Sequence, residues 1–229
     1  DVADTARITQ AGASPPLDGR LDAACWAKAA PLTPFYVSNR GAQPAATPTT
    51  ALLSYDAKNL YVAFRNVEPR LDALKAAATT RDGPVYNDDC NEVFIAAPSG
   101  RAFQFILNSA GAQWDGELYA RAEGDAYRAD ASWNGLWRGV ASKGQGEWVA
   151  EFAIPFAILG GPPKDGETWR LNLARERHGY AEELTHWNCV EDNFNNVAKF
   201  ACLRFDDKGA TLTRFVDPPR AASLEITRD

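Results

Sequence analysis

The chain has 229 residues, a formal net charge of −6, 45% hydrophobic residues, seven tryptophans, four cysteines and no methionine. That apolar content excludes a disordered chain, and no apolar run approaches the roughly 18 residues that a membrane helix needs. Lys and Arg are scattered rather than clustered, which argues against nucleic acid or an anionic membrane as partner and favours neutral or cationic ligands.

The length suits one well-cored domain. Residues 1–16 read as an N-terminal arm, and a turn at 17–22 leads into a short helical piece over 23–30, where Trp26 clamps the chain's start onto the body. Strands over 50–55 and 60–65 flank a four-residue turn, Asp56 to Asn59. Residues 70–80 have helix-forming composition, and Gly83 and Pro84 stop them. The chain then reaches Tyr86 and an acidic cluster, Asp88, Asp89 and Glu92.

Two apolar runs, 93–97 and 103–107, are joined by Pro98, Ser99, Gly100 and Arg101, which is hairpin punctuation. Gln104 and Asn108 share one face of the second run. A further strand follows over 114–122, then a polar segment over 123–130. Trp148, Ala150, Phe152 and Ile154 alternate with Glu151 in a strand that Pro155 closes. Over 168–177 the same period puts Trp169, Leu171, Leu173 and Arg175 on one face, and Asn172 and Glu176 on the other. Arg175 and Glu176 are therefore not expected to serve one site. Residues 178–196 read as a loop carrying His186 and Trp187, 199–205 as the last strand, and 207–229 as a C-terminal extension with one edge strand over 210–216. Trp133, Trp137, Trp148 and Trp169 are assigned to the core. Short strands with close turn signals and only one or two short helices predict an all-β fold, an antiparallel β-sandwich over 17–206.

The ordered set of Leu17, Asp18, Gly19 and Trp26, then Tyr55, Leu60 and Tyr61, then Asp88, Asp89 and Glu92, then Phe103, Asn108 and Gly111, then Glu151 and Pro155, then Trp169, Asn172, Arg175, His186 and Trp187 resembles the family 9 carbohydrate-binding modules. The resemblance implies an immunoglobulin-like or jelly-roll sandwich in a secreted or periplasmic bacterial protein. The implied partner is an oligosaccharide or polysaccharide bound by a monomer, and structural calcium is an implied cofactor. It places the two sugar-stacking aromatics at Tyr86 and Trp187, the sugar-bonding acid at Glu92, and polar contacts at Asn172 or Arg175. The residues also allow Trp187 in the core and Glu92 as an edge-strand acid satisfied by Arg175 or Lys199, and alternation adds Gln104 and Asn108 as candidates of second rank. Asp88 and Asp89 are read as capping the turn or holding calcium. Tyr86 stands where the family has tryptophan, and Phe200-Ala201 where it has Phe-Gly.

Stacking on a sugar's C–H face, with two-pronged bonding of hydroxyls by charged groups, is the chemistry these residue types supply. The alternative is a glycoside hydrolase or lyase using the acids around Glu92, for which carboxyl separation decides. Haem is not expected, since the chain lacks methionine and its two histidines lie in one loop. The absence of a CxxC pair argues against a structural zinc site of the usual spacing. Four cysteines allow two disulfides, and a Cys90 to Cys189 bridge would brace the site, with Cys25 and Cys202 left over.

Overall fold

The computed structural model describes residues 5–8, 10–120, 127–188, 194–206 and the backbone of 212–213. Fourteen strands occur among these residues: β1 (Thr5–Ile8), β2 (Tyr36–Val37), β3 (Thr49–Tyr55), β4 (Asn59–Val67), β5 (Cys90–Ala96), β6 (Ala102–Asn108), β7 (Gln113–Ala120), β8 (Tyr127–Asp130), β9 (Arg138–Lys143), β10 (Glu147–Pro155), β11 (Thr168–Arg177), β12 (Glu183–His186), β13 (Ala201–Phe205) and β14 (Leu212–Thr213). Two short helices, α1 (Ala24–Lys28) and α2 (Phe156–Leu159), complete the regular structure beside three turns of 3₁₀ helix.

The strands form two sheets. The small one runs β3-β4-β10-β9, and the large one β14-β1-β13-β11-β5-β6-β7-β8, with β12 and β2 attached beside β11. All pairings are antiparallel except β1 with β13. The segment read as an arm thus adds β1 to the large sheet.

The core lies between the sheets. Val93, Ile95, Phe103, Phe105, Leu107, Leu171 and Leu173 project inward from the large sheet and meet Leu53, Val62, Phe64, Ala150, Phe152 and Ile154. Trp137 stacks on Phe152 with ring centroids 5.4 Å apart and planes within 7°. Each fully buried aromatic or aliphatic side chain here contributes about 1.5–3 kcal/mol. The period-2 reading of β10 holds, since Glu151 lies on the opposite face from Trp148 and Phe152. There it accepts hydrogen bonds from Gly19 N (2.7 Å) and Trp26 Nε1 (3.2 Å), and so fastens the start of the domain.

Three expectations fail. Residues 70–80 are not a helix beyond the 3₁₀ turn Leu71–Ala73, because their backbone N–H groups are taken by side chains. Lys75 N donates to Asp89, and Ala77 N and Ala78 N donate to Asp88. The segment read as a loop over 178–196 contains β12, whose polar composition hid a strand held by β11 on one side and β2 on the other. Cys25, Cys90 and Cys202 are free thiols, so the Cys90 brace is not formed. Cys189 itself lies outside the described residues.

Candidate functional site

The outer face of the large sheet carries a different set of side chains from the inner one, as a two-residue period requires. From β5 it receives Cys90, Glu92 and Phe94, from β6 Gln104, Ile106 and Asn108, and from β7 Trp114. From β11 come Asn172, Ala174 and Glu176, and from β12 Leu184 and His186. Register places Glu92 between Ile106 and Ala174, and Cys90 directly opposite Glu176.

This face is hollowed into a cleft of about 390 Å³. Phe94, Ile106, Leu184 and Phe194 form its apolar lining, and Ser38 and Asn39 reach it from the loop after β2. Tyr86 stands at its mouth. The 3₁₀ turn Val85–Asn87 buries Val85 and leaves the Tyr86 ring 46% exposed, edge-on to Trp114 at 6.3 Å.

Glu92 and Glu176 meet in the floor. Glu92 is 1% exposed and accepts a 2.6 Å hydrogen bond from Gln104 Nε2. Burial, and then the neighbouring Glu176, push the Glu92 carboxyl well above the usual carboxylate range, and burial also raises Glu176. Two carboxylates removed from water in contact cannot both stay ionised, so they share a proton. His178 Nε2 lies 2.7 Å from Glu176 Oε2. Arg175 and Arg177 flank Glu176 in sequence but point through the sheet to Glu68. The pair therefore has no guanidinium of its own.

The other expected site residues are placed as follows. Arg175 is 1% exposed and its guanidinium is lowered to about 10, by burial first and then by Arg177. It is an internal ion-pair partner and does not reach the cleft. Trp187 is wholly buried in the sandwich core. The expected clamp between Tyr86 and Trp187 is therefore not built. The cause is β12: a strand that turns His186 outward turns Trp187 inward.

Asn108 lies on the predicted face, yet its amide is used internally. Nδ2 donates to Ala78 O and Asp88 Oδ2, while Oδ1 accepts from Ala110 N and Ala112 N. Asn172 is likewise enclosed, donating to Phe194 O and accepting from Leu173 N.

Asp88 and Asp89 sit buried where calcium was expected, but they face different donors. Asp88 takes Ala77 N, Ala78 N and Asn108, whereas Asp89 takes Lys75 N at 2.7 Å and His178 N at 3.4 Å. They work as clamps on the 75–78 segment. Among the described residues, the group of three acidic, cysteine or histidine ligand atoms that closes to within 4.8 Å is Cys90, Glu92 and Glu176, and it contains neither aspartate.

A family model, carbohydrate family 9 binding domain-like, matches residues 17–207. The chain belongs to that family. Solved structures share the fold of this family 9 module. A module of carbohydrate-binding family 9 from Caldicellulosiruptor kristjanssonii in complex with cellotriose aligns with a TM-score of 0.63 at 16% identity, over 97% of this chain and 99% of that one. The same organism's family 9 module in complex with glucose aligns at 0.61 and 15%, over 91% and 99%. A Bacteroides uniformis protein aligns at 0.66 and 18%, over 88% and 98%. No curated protein matches.

Of this family 9 module's cleft, sequence reasoning had found Tyr86 and Glu92, with Gln104 of lesser rank. It missed Glu176, although the parity with Asn172 on β11 was available. It took Trp114 only as the start of a strand, and it missed Phe194 because nothing local marks it.

Proposed function

We propose that this module is non-catalytic and binds a sugar in the cleft on the outer face of the large sheet. The ring stacks by its C–H face against Tyr86, with Trp114 as a second wall, and Gln104, Glu92 and Glu176 take its hydroxyls. The observation that carries this reading is the half-exposed Tyr86 ring above a floor of carboxyl groups that no guanidinium reaches among the described residues. A shared-proton pair both donates and accepts, which suits hydroxyl groups. A monomer acting on oligosaccharide or polysaccharide ends, outside the cell, fits the family; the three free thiols add no support from disulfides. The acidic net charge gives nucleic acid no purchase.

The contact between Glu92 and Glu176 favours binding over hydrolysis. A retaining acid–nucleophile pair stands about 5–5.5 Å apart and an inverting pair about 6.5–9.5 Å apart, leaving room for the reacting atoms. Here carboxyl oxygens of Glu92 and Glu176 lie within 4.8 Å of each other, closer than either arrangement.

The test is titration with glucose and cellotriose, then with a wider oligosaccharide panel, read by proton NMR at once and after a day. Line broadening without new sugar signals is expected. Tyr86→Ala should weaken binding about tenfold, on the order of 1.4 kcal/mol. Silence across the panel, or unchanged affinity in Tyr86→Ala, would refute the assignment, and new anomeric signals would make the protein an enzyme.

A further inference from the structure

Cys90 and Glu92 project from one face of β5, and Glu176 projects from the same face of β11 with Cys90 directly opposite it. Their ligand atoms, one sulfur and two carboxylate oxygens, all lie within 4.8 Å of one another. The thiol is wholly buried, and among the described residues no hydrogen bond reaches its sulfur. The sulfur and the two carboxyl oxygens converge, with His178 bonded to Glu176 at 2.7 Å, so three donors face one centre. We propose that Cys90, Glu92 and Glu176 bind a divalent cation of the zinc class.

The chemistry selects the ion. A thiolate beside two carboxylates prefers a borderline-soft ion such as Zn²⁺ or Co²⁺ over Ca²⁺ or Mg²⁺, which take oxygen ligands. Bonds of about 2.0–2.3 Å put neighbouring ligand atoms about 3.3–3.6 Å apart around a tetrahedral ion, so modest side-chain rotation closes this group. Glu176 is held by His178 at 2.7 Å, an orienting contact of the kind that fixes a ligating carboxylate.

Charge balances on loading. The incoming cation displaces the thiol proton of Cys90 and the proton shared by the two carboxyls, and both leave to solvent. The fourth position faces the cleft, because Glu92 and Glu176 line it. Zinc ligand spacing in the sequence did not reveal this site, since its donors come from two strands far apart in the chain.

The experiment titrates Co²⁺ into the intact, reduced protein and follows the near-ultraviolet thiolate-to-cobalt charge-transfer band, with Zn²⁺ added afterwards as competitor. The wild-type chain should develop the band and lose it to Zn²⁺ but not to Ca²⁺. Cys90→Ser should abolish the band, and Glu176→Gln should weaken Co²⁺ binding at least tenfold, each with an unchanged circular dichroism spectrum. Absence of the band in folded wild-type protein, its displacement by Ca²⁺, or its persistence in Cys90→Ser would overturn the proposal. Sugar titrations in the presence of a chelator are scored separately, so loss of the metal site leaves the sugar reading to stand or fall by its own test.

Discussion

Arg175 and Glu68 face each other inside the sandwich at 3.1 Å, with side chains only 1% and 2% exposed. Glu68 also receives Arg177 at 2.9 Å and holds the chain at Arg70 N. Removing the carboxylate would leave two buried guanidinium groups facing each other, with Glu183 at 3.8 Å from Arg177 as the remaining ion-pair partner among the described residues. Glu68→Ala should therefore cost about 3–5 kcal/mol in urea unfolding. Arg175→Ala should cost less, because Arg177 remains on Glu68. A Glu68→Ala protein as stable as wild type would show that water reaches this pair.

Tryptophans on the two sides of the large sheet should separate. Trp187→Ala removes a ring enclosed in the core and should destabilise by about 3–5 kcal/mol. Trp114→Ala, at the cleft wall, should lower sugar affinity as well as stability, because the ring is also packed against Val85 and Ile106. Denaturant midpoints and sugar titrations on the same two proteins check the distinction, and equal effects of the two substitutions on sugar affinity would refute it.

Stability should depend on pH through the Glu92 and Glu176 pair. Both carboxyls are raised from an ordinary value of 4.5, by burial first. The folded state thus holds a proton that the unfolded state releases, and stability is lost as pH rises from about 4.5 toward the raised folded value, at up to about 1.4 kcal/mol per pH unit. Glu176→Gln should flatten this slope in thermal melts across that range. An unchanged slope would mean that the pair does not share a proton.

His186 should act in the opposite sense. Burial lowers its imidazole from 6.5 to about 4. The unfolded state takes up the proton first, so the stability that neutral His186 provides is complete above about pH 6.5 and drains away as pH falls toward 4. The difference in melting temperature between wild type and His186→Gln should widen toward neutral pH and shrink in acid.

The N-terminal anchor is testable at Gly19. Its φ of +79° suits glycine, and a Cβ there would lie 2.4 Å from Ser142 Cβ. Gly19→Ala should cost about 1–3 kcal/mol and expose the 17–28 segment to limited proteolysis. Proteolysis at the wild-type rate would contradict the anchoring role of Glu151.

Periodicity made much of this legible. Alternation along β11 put Arg175 and Glu176 on opposite faces, and that separation is what empties the cleft floor of guanidinium groups. Parity also put Gln104 and Asn108 together. It failed to show that Asn108 would be spent on Ala78 and Asp88, because those partners arrive through an excursion whose course no local pattern dictates. Trp187 was misplaced for a related reason: without knowing that Glu183–His186 is a strand, the parity that sends the ring inward could not be applied.

The branch in the large sheet has a further consequence. β11 pairs β13 through Thr168–Leu171 and β12 through Ala174–Arg177 along the same edge, and at the gap between them the Asn172 side chain accepts from Leu173 N and donates to Phe194 O. The sheet is thus divided like a page cut partway along its margin. One flap carries the strand from the chain's beginning, and the other carries the cleft wall at Leu184. Asn188, just past the second flap, bonds both Asn172 and Lys199 O before β13, so one residue stitches the cut, and changes to the cleft wall at Leu184 are felt by the first flap through that stitch.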